Sequence, residues 1–346
     1  MTRVLAVRLD SAGDVLLTGP AVRALCDPGA EVDVLVSPAG EPAARLLPGV
    51  REIHVFDPPW SGYRPPAVEP AAVAGLLGLL RRRRYDRAVI FTSFHQCPLP
   101  MALLARLAGI GWVGATSEDY PGSLLDLRHR RDAGHEVEAA LALARAAGGR
   151  LPAGDDGRLE LRGPLPDPET IVPAGPFVVV HPGASVPARG MLPGHARRIA
   201  GRLLDRGWQV VVTGTAADAE LVRAATPPGG RDLAGRTSLA ELAAVVDRAS
   251  CIVVGNTGPA HLAAAVRTPV VSLFAPVVPA ERWAPYGVPH VVLGDQSAPC
   301  RDTRARECPV PGHPCVTDVA PDVVAAAVER LAEPPVRAVP MVAGTP

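Results

Sequence analysis

Short apolar runs of strand length alternate with segments of helical periodicity along almost all of the 346 residues. This alternation constrains the fold more than any other feature, because a strand, a crossover helix and a second strand form the repeating unit of a parallel sheet. The valine-rich run Phe177–His181 is typical of a strand buried on both faces. The pattern therefore predicts an α/β fold of doubly wound, Rossmann-like domains.

The alternation falls into two series that are separated by a stretch of different composition. The predicted elements of the first series are the strands Val4–Arg8, Val32–Val36, Glu52–Val55 and Arg87–Ile90 and the helices Asp14–Leu25, Pro70–Arg83, Pro100–Ala108 and His135–Ala147. Residues 150–176 hold many Pro, Gly and Asp residues and little periodicity, as a domain boundary does. We therefore predict an N-terminal domain over residues 1–165, a C-terminal domain over 166–333 and a flexible tail over 334–346.

The second series repeats the same alternation. Its predicted elements are Phe177–His181, Gly194–Arg206, Gln209–Thr213, Ala216–Ala225, a helix from an S-x-x-E capping box at Ser238 to Arg248, Cys251–Gly255, Gly258–Val266, Val270–Phe274 and Pro321–Leu331. Two doubly wound domains in series leave a central cleft, and ligands of such folds bind at the carboxyl ends of the strands. The loops that follow the strands are therefore the places to search for a site.

Charge and hydropathy narrow the partners and the compartment. The 35 acidic and 35 basic residues balance, so no overall field attracts nucleic acid or an anionic membrane. No signal segment precedes the first predicted strand, and no apolar run reaches the ~18 residues that span a bilayer. We expect a cytoplasmic protein with reduced cysteines, no nucleic-acid partner and at most peripheral membrane contact.

The strongest local signal is Gly255-Asn256-Thr257-Gly258-Pro259-Ala260-His261, which joins a predicted strand to a helix of small residues. Glycine lets the backbone approach a ligand closely, and Pro259 suits the first turn of a helix. The free N–H groups and the helix dipole then face an anion, most naturally a phosphate, and His261 is a further donor to it. An ordinary strand-to-helix turn capped by Asn or Thr is the alternative.

A second candidate is Arg8-Leu9-Asp10-Ser11-Ala12-Gly13-Asp14, which follows the first strand and faces the same cleft. A carboxylate at this place can accept a proton from a sugar hydroxyl. The alternative is that Asp10 or Asp14 only caps the first helix, a position that also lowers an aspartate pKa. The residues alone do not decide between a catalytic base and a cap.

Further candidates follow strands of the second series. In the loop His181–Arg189, Ser185 and Arg189 have the chemistry to hold a diphosphate, although a Pro/Gly loop with a surface arginine is the alternative. Gly214-Thr215 and Asp232–Thr237 are weaker candidates to line a nucleoside pocket. These loops extend the predicted site along the edge of the second domain.

Five segments in register now resemble glycosyltransferase family 9, the heptosyltransferase family with its GT-B fold. They are strand-L-D-S-x-G-D, H-P-G-A-S before a basic residue, D-L-A-G-R-T-S-L, G-N-T-G-P-A-H-L-A-A-A and R-W-x-P-Y-G. Their order and spacing agree from residue 3 to about residue 331. The resemblance implies an inverting glycosyl transfer without metal or cofactor from a nucleotide-diphosphate sugar, usually ADP-heptose, to a glycan, glycolipid or small-molecule hydroxyl.

The resemblance also implies roles for single residues. Asp14 matches the family's proposed base, and Arg189 matches a lysine that contacts the donor phosphates and sugar. Asn256 matches a position that is often Asp and touches the sugar, so the identity of the transferred sugar is open. The remaining residues that we predict to bind the donor are Ser185, Gly214, Thr257, Gly258, Pro259 and His261. We predict acceptor binding at Ser11 and His95.

Other interpretations of the same features stay open at this point. A nucleotide-sugar 2-epimerase of similar architecture and a two-lobed sugar-binding protein both fit two α/β domains around a cleft. Lipopolysaccharide core, a cell-wall glycan, another surface polysaccharide and a secondary metabolite are all candidate acceptors. Cys300, Cys308 and Cys315 with His313 suggest a zinc site, but no C-x-x-C pair is present, and we expect a reduced loop near the cleft. No D-x-D follows a predicted strand, which favours metal independence.

Overall fold

The computed structural model describes residues 1–26, 29–62 and 64–332, and these residues form two six-stranded sheets. The tail that we predict over residues 334–346 lies outside them. Neighbouring strands within each sheet run parallel, as the alternation predicts. An α/β fold of two doubly wound halves is thus confirmed.

The first sheet and its helices occupy the N-terminal part of the chain. The strands are β1 (Thr2–Arg8), β2 (Ala30–Val36), β3 (Glu52–Val55), β4 (Arg87–Ile90), β5 (Trp112–Thr116) and β6 (Leu127–His129). The helices are α1 (Ala12–Leu25), α2 (Glu41–Ala44), α3 (Pro70–Arg83), α4 (Leu99–Leu107) and α5 (Glu136–Ala146). The strand order is β3-β2-β1-β4-β5-β6, so the order reverses between β1 and β4.

The second sheet has the same plan. Its strands are β7 (Phe177–His181), β8 (Gln209–Val212), β9 (Arg231–Asp232), β10 (Cys251–Gly255), β11 (Val270–Leu273) and β12 (His290–Leu293). Its helices are α6 (Pro193–Asp205), α7 (Ala219–Ala225), α8 (Leu239–Arg248), α9 (Gly258–Ala265), α10 (Ala280–Trp283), α11 (Pro314–Thr317) and α12 (Pro321–Leu331), with short 3-10 turns at Pro187–Arg189 and Ala216–Asp218. The order β12-β11-β10-β7-β8-β9 reverses between β7 and β10.

The predicted elements form, with ends that shift by one or two residues. The capping box at Ser238 is confirmed, because its hydroxyl accepts from the Glu241 N–H while the Glu241 carboxylate accepts from the Ser238 N–H. The segment predicted as one helix over Ala216–Ala225 is instead a 3-10 turn followed by α7. Four strands were not predicted, namely β5, β6, β9 and β12, and of these β6 and β9, with three and two residues, are too short to show a periodicity.

The segment between the two sheets is tied to the first of them. Among the described residues, none between Ala147 and Pro176 belongs to a helix or strand. The Arg23 guanidinium on α1 donates to both Asp155 oxygens, at 2.7 and 2.8 Å, and the Arg162 N–H donates to the Leu46 carbonyl at 2.7 Å. The segment thus begins as part of the first lobe, and its later residues contact the second lobe, where the Ala174 carbonyl accepts from the Gln209 side chain at 2.9 Å.

The helix α1 lies at the centre of the molecule and positions the site. Its residues from Val15 to Leu25 are all buried, because it packs against its own sheet, against α5 and against α9 of the second lobe. One apolar cluster accordingly includes side chains of both lobes, such as Leu17 and Leu262. A helix that is apolar on all sides is typical of such a buried position. Among the described residues, no helix has the length and hydropathy needed to cross a membrane.

Candidate active site

The two points at which strand order reverses face each other across the lobes. The first turn of α1 follows β1, and the first turn of α9 follows β10, so both helix N-termini point into the cleft. A Cβ atom on Gly13 would lie 3.1 Å from the Gly258 Cα and 3.1 Å from the His261 Cδ2. The absence of a side chain on Gly13 lets the helix ends meet, and their dipoles favour negative charge between them.

A small cavity lies where the loops converge. Its lining residues are Ser11, Gly13, Asp14, Ala184, Ser185, Val186, Arg189, Asn256, Thr257, Gly258, His261 and Trp283. The structure therefore brings together most of the residues that were predicted to bind donor or acceptor. The volume of about 40 Å³ is far below the ~300–1,000 Å³ of ordinary ligand pockets, so the two lobes lie close together at this point.

Asp14 is the acidic side chain of this cavity. Ser11 is the N-cap of α1, so neither Asp10 nor Asp14 caps the helix. The Asp14 Oδ1 accepts from the Arg8 guanidinium at 3.0 Å, and its Oδ2 accepts from the Ser11 hydroxyl at 2.8 Å. The predicted acceptor-binding residue Ser11 thus both caps the helix and contacts the carboxylate.

The surroundings of Asp14 determine its protonation. Burial alone would raise the pKa of Asp14, but Arg8, the Ser11 hydroxyl, His261 and Arg189 together hold that pKa below its ordinary value. The carboxylate is therefore ionised at neutral pH and is able to accept a proton. The same positive surroundings weaken it as a base, which is the cost of keeping it charged.

A polar network that the sequence analysis did not predict lies beneath Asp14. The buried Arg8 donates to the Ser93 hydroxyl at 2.8 Å, and its Nε lies 2.7 Å from the Asp10 carboxylate in an ion pair too poorly aligned for a hydrogen bond. Asp10 also accepts from Ser61 and Gln96, and burial raises its pKa. Polar residues at the ends of β1 and β4 were visible, but their proximity depends on the strand order.

Arg189 brings positive charge to the cavity from the second lobe. It ends the 3-10 turn Pro187–Arg189, and its buried Nε has no hydrogen-bond partner among the described residues. Burial lowers the pKa of Arg189, although the Asp14 charge opposes that effect. The turn packs so tightly on β10 that a Cβ on Gly255 would lie 2.2 Å from the Arg189 carbonyl oxygen, so position 255 requires glycine. An unpartnered guanidinium N–H beside a cavity suits an anionic ligand.

His261 and the start of α9 complete this side. The His261 side chain is 4% exposed, and burial, with smaller effects of His135 and Arg189, lowers its pKa to about 4. The ring is therefore neutral at neutral pH, and its buried Nδ1 has no partner among the described residues. No side-chain hydrogen bond caps α9 at Thr257. The first turn thus differs from a plain capped turn and keeps donors available for an anion.

Asn256 lies at the cavity, but its amide is bonded elsewhere. Its Nδ2 donates to the Ala275 carbonyl at 3.2 Å, and its Oδ1 accepts from the Ala275 N–H at 3.3 Å. The side chain thus joins the ends of β10 and β11. Its predicted contact with the donor sugar stays a prediction.

Three predicted residues do not line the cavity. Gly214 follows β8, where a Cβ would lie 2.6 Å from Val222, and Pro259 lies in the first turn of α9. His95 lies in the loop after β4 with much of its side chain exposed, although partial desolvation and the charge of Arg304 lower its pKa to about 4. Binding at these positions stays a prediction.

The R-W-x-P-Y-G segment of the second lobe docks on the first lobe beside the cavity. The Arg282 guanidinium lies 4.9 Å from the centre of the Phe94 ring, and that ring lies 5.6 Å from Trp283. His135 at the start of α5 contacts the Ala284 carbonyl oxygen at 2.8 Å through its Nε2. These contacts close one side of the cleft.

The cysteine-rich stretch packs on the turn that carries Arg189, because the Ala188 N–H donates to the Arg306 carbonyl at 3.0 Å. Cys300, Cys308 and Cys315 are free and line a separate cavity of about 310 Å³. Within the described ranges, the groups that bring three potential metal ligands within 4.8 Å of one another are Asp33-Glu52-His54 and Asp155-Asp156-Glu160, and neither contains a cysteine. Arg51 and Arg23 already neutralise the first aspartate of each group.

Comparisons with known proteins agree with this architecture. A family model described as glycosyltransferase family 9 (heptosyltransferase) matches residues 75–313. Lipopolysaccharide heptosyltransferase 1 of Pseudomonas aeruginosa is 32% identical over 332 residues, which cover 86% of this chain and 86% of that protein.

Solved structures show the same fold. The E. coli ADP-heptose lps heptosyltransferase II has a TM-score of 0.73 at 23% identity, over 96% of this chain and 98% of that chain. E. coli heptosyltransferase WaaC with ADP-2-deoxy-2-fluoro heptose has a TM-score of 0.67 at 21% identity, over 95% of this chain and 99% of that chain. The two lobes thus form a GT-B fold.

These similarities favour the transferase over the 2-epimerase and the sugar-binding protein. The family model covers more than half of the chain, and the Pseudomonas relative matches most of it. This chain therefore belongs to glycosyltransferase family 9 and is a glycosyltransferase.

Proposed function

We propose that this enzyme transfers heptose from ADP-heptose to a glycan or glycolipid hydroxyl, with inversion at the anomeric carbon and without metal or cofactor. Support for the donor comes from the relative named as a heptosyltransferase and from the WaaC structure with an ADP-heptose analogue. The Pseudomonas relative is named as a lipopolysaccharide heptosyltransferase, so lipopolysaccharide is the first acceptor to test. We also propose that the enzyme is cytoplasmic and makes at most peripheral contact with a membrane.

One observation carries the proposal: an acid from the first lobe faces the Arg189 guanidinium and a helix N-terminus from the second lobe. Asp14 is ionised, while Arg189 and the first turn of α9 offer donors to an anion. A base and a leaving-group site on opposite walls match an in-line displacement. The acceptor hydroxyl then belongs on the Asp14 side and the diphosphate on the Arg189 side.

The chemistry follows from these positions. The acceptor oxygen forms a bond to the anomeric carbon as the bond from that carbon to the diphosphate oxygen breaks, and attack opposite the leaving group inverts the centre. Asp14 takes the proton of the attacking hydroxyl. The transition state is oxocarbenium-like, and the departing diphosphate gains negative charge. Arg189, neutral His261 and the dipole of α9 stabilise that charge.

The proposed metal independence rests on the positive charge at the diphosphate site. Arg189 and the α9 N-terminus supply at the diphosphate the positive charge that a divalent ion supplies in other transferases. Within the described part of the chain, the two groups of potential metal ligands named above lie outside the lining of the cavity. We expect turnover to survive treatment with EDTA and not to increase with added Mg²⁺ or Mn²⁺.

A ligand panel tests the donor. ADP-, GDP- and UDP-sugars are compared by thermal shift, because a specific ligand at 100 times its Kd adds about 2.7 kcal/mol to the free energy of unfolding. ADP-heptose is expected to raise Tm most, and Arg189→Gln to remove most of that shift. Arg197→Gln, on the exposed face of α6, is the matched control.

Product analysis completes the test. NMR of the product formed with a lipopolysaccharide core acceptor is expected to show the anomeric configuration opposite to that of the donor. If no nucleotide sugar shifts Tm and no acceptor is glycosylated, the proposed reaction is wrong. A stronger response to GDP- or UDP-sugars would overturn ADP-heptose as the donor.

A further inference from the structure

Arg8 occupies the reversal point of the first sheet. It is the last residue of β1, its side chain is 6% exposed, and it reaches the loop that follows β4. One of its terminal nitrogens donates both to the Asp14 Oδ1 at 3.0 Å and to the Ser93 hydroxyl at 2.8 Å. A single guanidinium nitrogen therefore joins the first turn of α1 to the loop after β4.

We propose that Arg8 is a positioning residue for glycosyl transfer, which ties Asp14 to Ser93 and fixes the direction in which the carboxylate faces the acceptor. The inference rests on the proposed function, in which Asp14 is the base. It goes beyond that function because it assigns separate tasks to the two oxygens of Asp14.

The two oxygens of Asp14 have different partners. Oδ1 is held by Arg8, whose guanidinium is planar, buried and unable to turn away from it. Oδ2 accepts a hydrogen bond from the Ser11 hydroxyl, and the hydrogen of that hydroxyl is free to rotate toward another hydrogen-bond partner. Oδ2 is accordingly the oxygen that takes the proton, and Ser11 releases it when the acceptor hydroxyl arrives.

The charges around Asp14 make Arg8 the main counter-charge. The acids Asp10 and Glu136 face Asp14 from the same lobe, and both disfavour its negative charge. The groups that face Asp14 from the other packed elements are Arg189, His95 and His261. His95 and His261 are neutral at neutral pH, and Arg131 is paired with Glu136 at 2.7 Å, so the loss of Arg8 leaves Asp14 beside Asp10 with Arg189 as its cation. Loss of Arg8 therefore raises the pKa of Asp14 as well as freeing its orientation.

The test compares pH profiles of kcat/KM for Arg8→Gln, Arg8→Lys and Ser93→Ala. We expect Arg8→Gln to reduce kcat by about 100-fold, as for a group misplaced by about 1 Å, with little change in the donor KM. The acidic limb of the pH profile of kcat/KM, where activity falls as Asp14 is protonated, should move to higher pH by about one unit or more. A positive neighbour lowers a carboxyl pKa by 1–3 units, and this variant loses that neighbour.

The remaining variants separate charge from orientation. Arg8→Lys should restore the acid limb but not kcat, since an ammonium lacks the planar fork. Ser93→Ala should lower kcat by about tenfold with the limb in place. Arg3→Gln, at the other end of β1 and half-exposed, is the matched control and should behave as wild type.

The outcomes are decisive even if Arg8→Gln does not fold, because Arg8→Lys and Ser93→Ala keep the charge and the packing. Wild-type kcat and acid limb in every variant that folds would overturn the inference. Asp14→Asn separates the two levels of the proposal. An active Asp14→Asn enzyme means that the proposed base is wrong, whereas an inactive one alongside unaffected Arg8 and Ser93 variants contradicts only the role of Arg8.

Discussion

Gly13 and Gly258 lie in contact across the two lobes, with 3.6 Å between the position of a Gly258 Cβ and the Gly13 nitrogen. Gly258 has room for a Cβ at this distance, whereas a Cβ on Gly13 would lie only 3.1 Å from the Gly258 Cα and from the His261 ring. The close approach of the first turns of α1 and α9 therefore depends on the missing side chain of Gly13. Substitution of Gly13 tests whether turnover requires this closed arrangement.

Gly13→Ala is expected to lower kcat by about 10- to 100-fold, because the added methyl meets the backbone of Gly258 and the ring of His261 and holds the lobes apart. Steady-state kinetics and donor thermal shift measure this effect. Gly75→Ala is the matched control, since Gly75 lies exposed within α3 with nothing near a Cβ. The control should keep its turnover and gain about 0.5–1 kcal/mol of stability. Full activity in Gly13→Ala would show that closure to this distance is not needed.

Asp14→Asn is expected to lower kcat by a factor of about 10² to 10⁴, while the donor still binds. The amide keeps the shape of the carboxylate and can accept from Arg8, but it cannot take a proton. Single-turnover product formation and donor thermal shift separate the two effects. Asp322→Asn on α12 serves as the control, because Asp322 pairs with Arg202 on the far side of the second lobe. Unchanged turnover in Asp14→Asn would reduce Asp14 to a structural partner of Arg8.

Asn256→Asp is expected to lower the free energy of unfolding by about 1–3 kcal/mol. The Asn256 Nδ2 donates to the Ala275 carbonyl, and a carboxylate oxygen in its place faces that carbonyl without a hydrogen. Urea unfolding at pH 8 measures the loss. Protonation restores the donor, so the difference from wild type should shrink as pH falls. A variant as stable as wild type at pH 8 would mean that the amide is not the link between β10 and β11.

The buried histidines make stability depend on pH. Burial lowers the pKa of His181 and of His261 to about 4, below the ~6.5 of an unfolded chain. Between pH 6.5 and 4 the unfolded state therefore binds protons that the folded state does not, and stability falls as pH falls through this window. Each histidine contributes at most about 3 kcal/mol. His181→Gln should flatten the pH dependence of the free energy of unfolding between pH 6.5 and 4. A slope equal to that of wild type would contradict the assignment.

Local signals were sufficient for the longer elements and for the loops that carry chemistry. The apolar run Phe177–His181 becomes a wholly buried strand, and the Ser238 capping box starts α8 where it was expected. The loops after β1, β7 and β10 reach one cavity because parallel strands place their carboxyl ends at one edge. Period and topology thus sufficed to place Asp14 opposite Arg189.

Features that depend on contacts between residues far apart in the sequence could not be predicted from local patterns. The bond from Arg8 to Ser93 joins residues 85 positions apart, and it requires β1 and β4 to be neighbours, which no local pattern states. The orientation of Asn256 depends on the backbone of Ala275 in the adjacent strand. Strands as short as β9 form only because β8 offers them a partner, so their own residues carry little signal.

The identical strand order of the two sheets has a consequence for engineering and for divergence. Each lobe presents one reversal point to the cleft, so in the proposed reaction each co-substrate meets mainly the loops of one lobe. Exchange of the loop after β4 should then retarget the enzyme to another hydroxyl compound, while the proposed binding of the activated sugar stays unchanged. A chain built in this way diversifies one half of its chemistry at a time.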